Sequence, residues 1–198
     1  LNTISTLLQN EKKEVANDMI IALSGHFRYM FRKSRSLVLL KEELEEVQDY
    51  CRIYNIRNGI PLLVDMDVSK SEMLCKVPIL CIQTFVENAI KYYGKNGQML
   101  QVRIQIRRIK KEDKKEFLKI RITDNGVGYT KENLDEFNKP VDKFVYKSSH
   151  VGIDNLKYRF KLIFENEADI YFYNAPYSGA VVEMTIPVKE DDSDENIN

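Results

Sequence analysis

What the sequence lacks narrows it first. No run of apolar residues approaches the roughly 20 that a membrane-spanning helix needs, and the N-terminal stretch carries no signal-peptide pattern. An excess of one charge is missing too, since 30 Lys and Arg balance 30 Asp and Glu. Without a net field to hold nucleic acid or an anionic membrane, binding has to come from specific sites. Cys51, Cys75 and Cys81 are odd in number and form no CxxC pair, so they read as three reduced thiols of a cytoplasmic protein. Histidine is almost absent: His26 and His150 are the only two. The chain starts at Leu1 with a helical pattern already running. The expectation is a piece of something longer, whose other parts could include a membrane anchor.

Hydrophobic residues make up 43% of the 198 and charged residues 30%. That suits one sizeable domain with a buried core and a helical extension, but hardly two full domains. Residues 1 to 57 read as helix. Val15, Met19, Ala22, His26 and Met30 recur at spacings of three and four, flanked by Ile20, Leu23 and Phe27. Leu40, Leu44, Val47, Cys51 and Tyr54 repeat in the same way, opposite Glu42, Glu45, Glu46 and Asp49. Glu42 and Glu43 fall in the first turn of that segment, where the helix dipole favours negative charge. Such a face suits a partner helix in this chain or another.

Asn58-Gly59 and Pro61 end the helices, and the period then changes. Residues 62–68, 101–109, 116–123, 169–173 and 180–188 read as strands rich in Val, Ile, Phe and Tyr. Between them lie helices over 76–93 and 153–165 and a weaker one near 131–137. The run 107–116 (RRIKKEDKKE) is a solvated connection between strands rather than a nucleic-acid patch. Five strands with helices on one face make a two-layer α/β sandwich preceded by N-terminal helices. Residues 189–198 form an acidic, polar tail expected to be disordered.

Three short stretches carry chemistry. In the first, residues 77–92 (VPILCIQTFVENAIKY), Thr84, Glu87, Asn88 and Lys91 share a polar stripe on a helix. An amide and an ammonium one turn apart could hold a hydrated divalent ion and phosphate oxygens, although such stripes are commonplace on solvated helices. In the second, residues 122–129 (ITDNGVGY), Asp124 ends a strand and Gly126 and Gly128 let the backbone turn around a flat ligand, or simply form an Asx turn. In the third, residues 148–156 (SSHVGIDNL), a polar loop runs into a helix whose N–H groups make an anion site or an ordinary serine cap.

In this order the three stretches resemble the N, G1 and G2 boxes of the gyrase, MutL and histidine-kinase ATPase superfamily. Residues 78–92 with Val86-Glu87-Asn88-Ala89-Ile90-Lys91, the Leu40-Lys41-Glu42-Glu43-Leu44 segment with Tyr50, Ile53 and Arg57, and Leu23-Ser24 with Arg28-Tyr29 resemble the LytS-type sensor histidine kinases more narrowly. The likeness runs from Leu1 to Pro187. It implies a Bergerat-type ATP-binding fold over residues 59–188 and partial dimerisation and phosphotransfer helices over 1–58. It further implies that Asp124 accepts from the adenine amine, with Gly126 and Gly128 giving the base room. Asn88 would ligate Mg2+, and Lys91 would face the phosphates beside Tyr92. His150, Gly152 and Ile153 would close on the triphosphate, with residues 129–151 as a mobile lid. Members that hydrolyse ATP carry a glutamate where Thr84 stands; a kinase needs no such base, because its nucleophile is an imidazole.

The chain departs from the family where His150 replaces a usual glycine and where Gly179-Ala180 replaces Gly-Thr. The acceptor histidine of such kinases precedes a Leu-Asn-x-Ile stretch, which Leu1-Asn2-Thr3-Ile4 resembles. It would therefore lie upstream of Leu1, and His26 is a helix histidine rather than the acceptor. The implied partners are a response regulator and a second copy joined through the N-terminal helices, with no nucleic acid, and a membrane only through upstream segments of an inner-membrane parent. A second reading keeps the same fold but makes the chain a catalytically decayed nucleotide-sensing or dimerisation module.

Overall fold

Aliphatic and aromatic side chains line up in rows across the central sheet. Ile104, Ile122, Val182 and Phe172 stand side by side on adjacent strands, as do Ile106, Ile120, Met184 and Ile170. Because side chains alternate faces along a strand, this register sends every second residue into the core. The computed structural model describes residues 2–31, 36–58, 61–93, 99–111, 114–140, 151–165 and 167–189. Its elements are α1 (Asn2–Gln9), α2 (Lys13–Phe31), β1 (Leu37–Leu39), α3 (Leu40–Asn58), β2 (Leu62–Asp67), β3 (Lys76–Pro78) and α4 (Gln83–Tyr92). There follow β4 (Leu100–Lys110), β5 (Glu116–Asp124), α5 (Lys131–Phe137), α6 (Val151–Phe164), β6 (Asp169–Asn174) and β7 (Ala180–Pro187).

The main sheet has five strands in the order β2-β4-β5-β7-β6, with β2 parallel to β4 and the other neighbours antiparallel. Phe85, Val86 and Ala89 of α4 and Ile153, Leu156 and Phe160 of α6 bury themselves in the same core as the inner rows of the sheet. The expected mixed α/β sandwich is therefore the observed one. The outer face carries charge instead: Arg103 pairs with Asp65 at 2.8 Å, Arg107 with Asp67 at 2.5 Å and Lys119 with Glu183 at 2.8 Å. Exposed pairs like these contribute about 0–1 kcal/mol each, so their use is to keep one face wet rather than to hold the fold.

Two expectations need correction. The helix expected over 76–93 starts only at Gln83. Val77 is used as a strand residue opposite Val38 in a second, two-stranded sheet of β1 and β3. Pro78 and then Leu80, which adopts φ 60, turn the chain before the helix can begin. The helical reading of 1–57 is likewise corrected at Leu37–Leu39, which form β1 before α3, while Glu11 at φ 57 separates α1 from α2. Within α3 the apolar repeat holds, with Leu40, Leu44, Val47 and Cys51 buried. Glu46, expected on the solvated face, is buried, and so is Glu43. Among the described residues no helix is long and apolar enough to cross a membrane. The three cysteines are free and buried. The tail beyond Lys189 and the loop 141–150 lie outside the described residues.

Candidate functional site

β5 delivers Asp124 to the end of the sheet, where the chain turns away through Asn125 to Gly128. One oxygen of Asp124, Oδ1, accepts both the Gly126 N–H at 2.7 Å and the Ala180 N–H at 3.1 Å. Its other oxygen has no protein donor among the described residues, and the side chain lines a cavity of about 170 Å³. Burial pushes the Asp124 carboxyl above the usual carboxylate range, and the two backbone N–H groups pull it partly back. A half-buried carboxylate with one oxygen fixed and one free is an acceptor waiting for a donor.

The rest of the cavity is mostly apolar. α4 contributes Phe85, Asn88, Ala89 and Tyr92; Ile122 and Val182 form part of the sheet side, and Ile153 comes from α6. Tyr129 and Phe137 close another wall and meet Phe172 edge-on or tilted, at ring-centroid distances of 5.9 and 5.2 Å. This is a slot suited to a flat ring with a polar edge.

Two glycines make the slot possible. Gly128 has φ 78, and a Cβ there would stand 2.7 Å from the Asn174 Oδ1. Gly179 has φ 98, and a Cβ there would stand 1.8 Å from the Asp124 carbonyl oxygen. Only glycine lets the backbone at 179 come so close to that of Asp124, and the positive φ at 128 favours glycine as well. Gly179 also bears on the departure at Ala180. The approach of the β7 strand start to Asp124 lets the Ala180 backbone N–H supply a bond to the carboxylate without any hydroxyl. Ser178 adds a bond from its hydroxyl to the Gly126 carbonyl at 2.7 Å.

The polar stripe expected on α4 is split by the structure. Asn88 and Tyr92 line the cavity. Lys91 is exposed and stacks its ammonium 5.1 Å from the Tyr92 ring, and it is not among the cavity-lining residues. Thr84 donates its hydroxyl to the Leu80 carbonyl at 2.6 Å. Glu87 accepts from the Gln83 amide at 2.7 Å, and its charge bears on Glu46 and Tyr50 of α3, so it belongs to the helical side of the molecule. Gly152 and Ile153 open α6; Ile153 is buried in the cavity wall, and a Cβ on Gly152 would meet the Thr84 methyl at 3.6 Å, an ordinary contact. His150 lies outside the described residues. His26, half-buried on α2, hydrogen-bonds Glu46 through Nδ1.

Residues 129–140, the first part of the expected lid 129–151, are anchored to the rest of the domain. Thr130 caps α5 by accepting the Asn133 N–H at 3.2 Å, and Phe137 is buried. Asn174 grips Tyr129 at both ends, accepting its N–H at 2.7 Å and donating to its carbonyl at 2.9 Å. Asn138 grips Phe172 in the same two-bond fashion at 2.9 Å each. The Lys157 ammonium from α6 donates to the carbonyls of Phe137 and Lys139 at 2.6 and 2.5 Å, where the dipole of α5 favours a cation. Asn174, Asn138 and Lys157 were not singled out from the sequence. No motif marks an amide that serves a backbone far along the chain.

Residues 1–62 match the family described as histidine kinase, and residues 78–190 match the family described as histidine kinase-, DNA gyrase B-, and HSP90-like ATPase. Over 188 residues the chain is 28% identical to an "uncharacterized sensor-like histidine kinase" of Staphylococcus epidermidis, which covers 95% of this chain and 35% of that protein. Over 195 residues it is 23% identical to the sensor protein kinase HptS of Staphylococcus aureus, covering 98% of this chain and 36% of that protein. The chain thus spans about a third of the length of these relatives. Among solved structures, the catalytic domain of histidine kinase ThkA superposes with a TM-score of 0.53 at 17% identity, over 78% of this chain and 97% of that one. A mycobacterial sensor histidine kinase, MprB, superposes at 0.51 and 14% identity, over 78% of this chain and 98% of that one. At such identities the likeness speaks for the fold.

Proposed function

Because the chain belongs to the histidine kinase-, DNA gyrase B-, and HSP90-like ATPase family, we propose that it is the ATP-binding catalytic part of a sensor protein-histidine kinase of the LytS type. The substrate is ATP. Its γ-phosphate goes to a histidine upstream of Leu1 and from there to a response regulator. The observation that carries this reading is the Asp124 carboxylate, fixed through one oxygen and open through the other in an apolar slot. An exocyclic amine is the donor that fits it, and a purine is the flat ring that fits between Phe85, Ile122 and Tyr129.

The residues of the cavity and its mouth meet the needs of such a substrate. Asp124 takes the amine, and Gly126 and Gly128 keep side chains away from the ring. Tyr92 lines the slot from the last turn of α4. Asn88 is the residue to hold Mg2+, which takes one or two protein ligands beside phosphate oxygens and waters. Lys91, an exposed ammonium on the same helix, and the backbone N–H groups at Gly152 and Ile153 are the partners for phosphate charge. Thr84 stands where a hydrolytic relative would keep a water-activating carboxylate, and its hydroxyl is engaged with Leu80. A transferase that protects ATP from water has no use for a base there.

Residues 1–58 are proposed as the remaining part of the dimerisation and phosphotransfer helices. Ile20, Ile21 and Phe27 of α2 are exposed, as a second copy packing on this segment would need. The parent is proposed as an inner-membrane sensor whose catalytic part faces the cytoplasm. Calorimetric titration with Mg-ATP tests the nucleotide site. Labelling with γ-phosphate-labelled ATP tests the reaction: a chain extended upstream through the acceptor histidine takes up label, and this chain binds ATP without taking it up. An extended, folded chain that binds ATP and stays unlabelled would overturn the kinase reading and leave a nucleotide-sensing module.

A further inference from the structure

Glu43 is a carboxylate with no exposure to solvent at all. Every lone pair it has is directed at a protein donor. Oε1 accepts the backbone N–H groups of Ile82 at 2.8 Å and Gln83 at 3.2 Å, and Oε2 accepts that of Leu80 at 2.8 Å together with the Tyr29 hydroxyl. Burying an ion costs several kcal/mol unless it is this fully bonded, so the arrangement is a built one. The three N–H groups belong to the turn that launches α4. The residue at the N-terminal boundary of α4, Ile82, has no side chain with which to cap the helix, and none of its own caps is made. Glu43 therefore serves as the cap of α4 from α3, some 40 residues earlier in the chain. It also holds Leu80 in its left-handed conformation at φ 60, which aims the first turn. Downstream on that same helix, Asn88, Ala89 and Tyr92 enter the cavity.

We infer that Glu43 is the positioning residue of the nucleotide site: it sets the place of α4 and, through the Tyr29 hydroxyl, makes nucleotide affinity depend on where α2 lies. The inference rests on the ATP reading above and adds to it a route by which the helical segment acts on the pocket. Tyr29 of α2 and Leu80 of the turn before α4 bond the same oxygen of one carboxylate, so a displacement of Tyr29 alters the partners of the oxygen that also holds Leu80. Coupling of this kind is reciprocal, and nucleotide binding would in turn favour the α2 position that Tyr29 needs.

Glu43→Gln keeps the shape of the side chain and turns one oxygen into an N–H donor, so at least one backbone N–H of residues 80–83 must face a donor instead of an acceptor. Tyr29→Phe removes the hydroxyl that α2 brings to Glu43 and to the Leu80 backbone. The experiment measures Kd for Mg-ATP by calorimetry at a temperature well below the melting point of each protein, with melting recorded separately. A purely structural Glu43 lowers the melting point and leaves Kd unchanged. A positioning Glu43 weakens ATP binding tenfold or more in Glu43→Gln, which disturbs the backbone N–H groups of the turn before α4 as well as the Tyr29 bond, and about threefold in Tyr29→Phe. The two losses are less than additive in the double variant because they share the Tyr29–Glu43 bond. If folded Glu43→Gln and Tyr29→Phe both bind within twofold of the wild type, the assignment is overturned. If Glu43→Gln does not fold, Tyr29→Phe decides alone, and wild-type affinity in it overturns the assignment. A wild-type chain that binds no ATP is a different result: it overturns the nucleotide reading itself and removes the ground on which this assignment stands.

Discussion

Asp124→Asn separates the charge of the site from its shape. In the structure Oδ1 is committed to the N–H groups of Gly126 and Ala180. An asparagine keeps those two bonds only by placing its amide oxygen there, which turns its NH2 group into the cavity. An adenine amine then meets a donor where it met an acceptor. The loss is one hydrogen bond to a charged group, about 1.5–3 kcal/mol, or roughly tenfold to a hundredfold in Kd. Guanine presents a carbonyl oxygen at the same edge, so the variant should lose its preference for ATP over GTP and shift towards GTP. Calorimetric titration of both nucleotides into both proteins reads this out. Equal ATP affinity in the two proteins, or a wild type indifferent to the base, would refute the assignment of Asp124.

The same substitution has a second consequence, because burial raises the Asp124 carboxyl above its unfolded value. Stability from such a group is fully present below the unfolded pKa and is lost as pH rises through the folded one. Without ligand, Asp124→Asn should therefore melt higher than the wild type at neutral pH, with the gap closing in acid; a lower melting point at neutral pH counts against the reading. ATP needs the charged form, so wild-type affinity should fall as pH is lowered through the raised range in which Asp124 takes up a proton, and that part of the dependence should be absent in Asp124→Asn. Gly179→Ala forces a side chain at φ 98 into the Asp124 carbonyl. Strain of this kind alone costs roughly 1–3 kcal/mol, measurable by urea denaturation, and a variant as stable as wild type would show the turn to be slack. Asn174→Ala cuts both bonds to Tyr129. These bonds are exposed, so about 1 kcal/mol of stability should go, together with a several-fold loss in ATP affinity as Tyr129 loosens from the cavity wall.

Local pattern made much of this molecule legible. The strands read from Val, Ile and Phe alternation are all present, because period-two patterning and strand propensity agree and no tertiary contact opposes them. The apolar repeat of α3 was readable for the same reason. Asp124, Asn88 and Ile153 were expected near one another, and the sheet, α4 and α6 place one of them each in the lining of one cavity. Misreadings fell where long-range pairing outbid local preference. Lys76–Pro78 carries a helix-like pattern, yet Val38, far away in sequence, claims it as a strand. Glu46 sits in a charged run that looks solvated, and its burial follows only from the presence of His26 across the helix pair.

By itself, then, the sequence determined the five strands of the main sheet, most of the apolar faces that go inward and the short motifs whose glycines and carboxylate define a slot. These are properties of neighbours along the chain, set by side-chain period and by which residues can take positive φ. Only the tertiary structure decided which polar groups meet. Glu43 caps a helix some 40 residues away, Asn174 clamps Tyr129 from the sheet edge, and the Ala180 N–H bonds the Asp124 carboxylate. A polar side chain in a sequence can bond to any of many backbone groups. Exclusion of water inside the folded core leaves each of these few with one satisfactory partner.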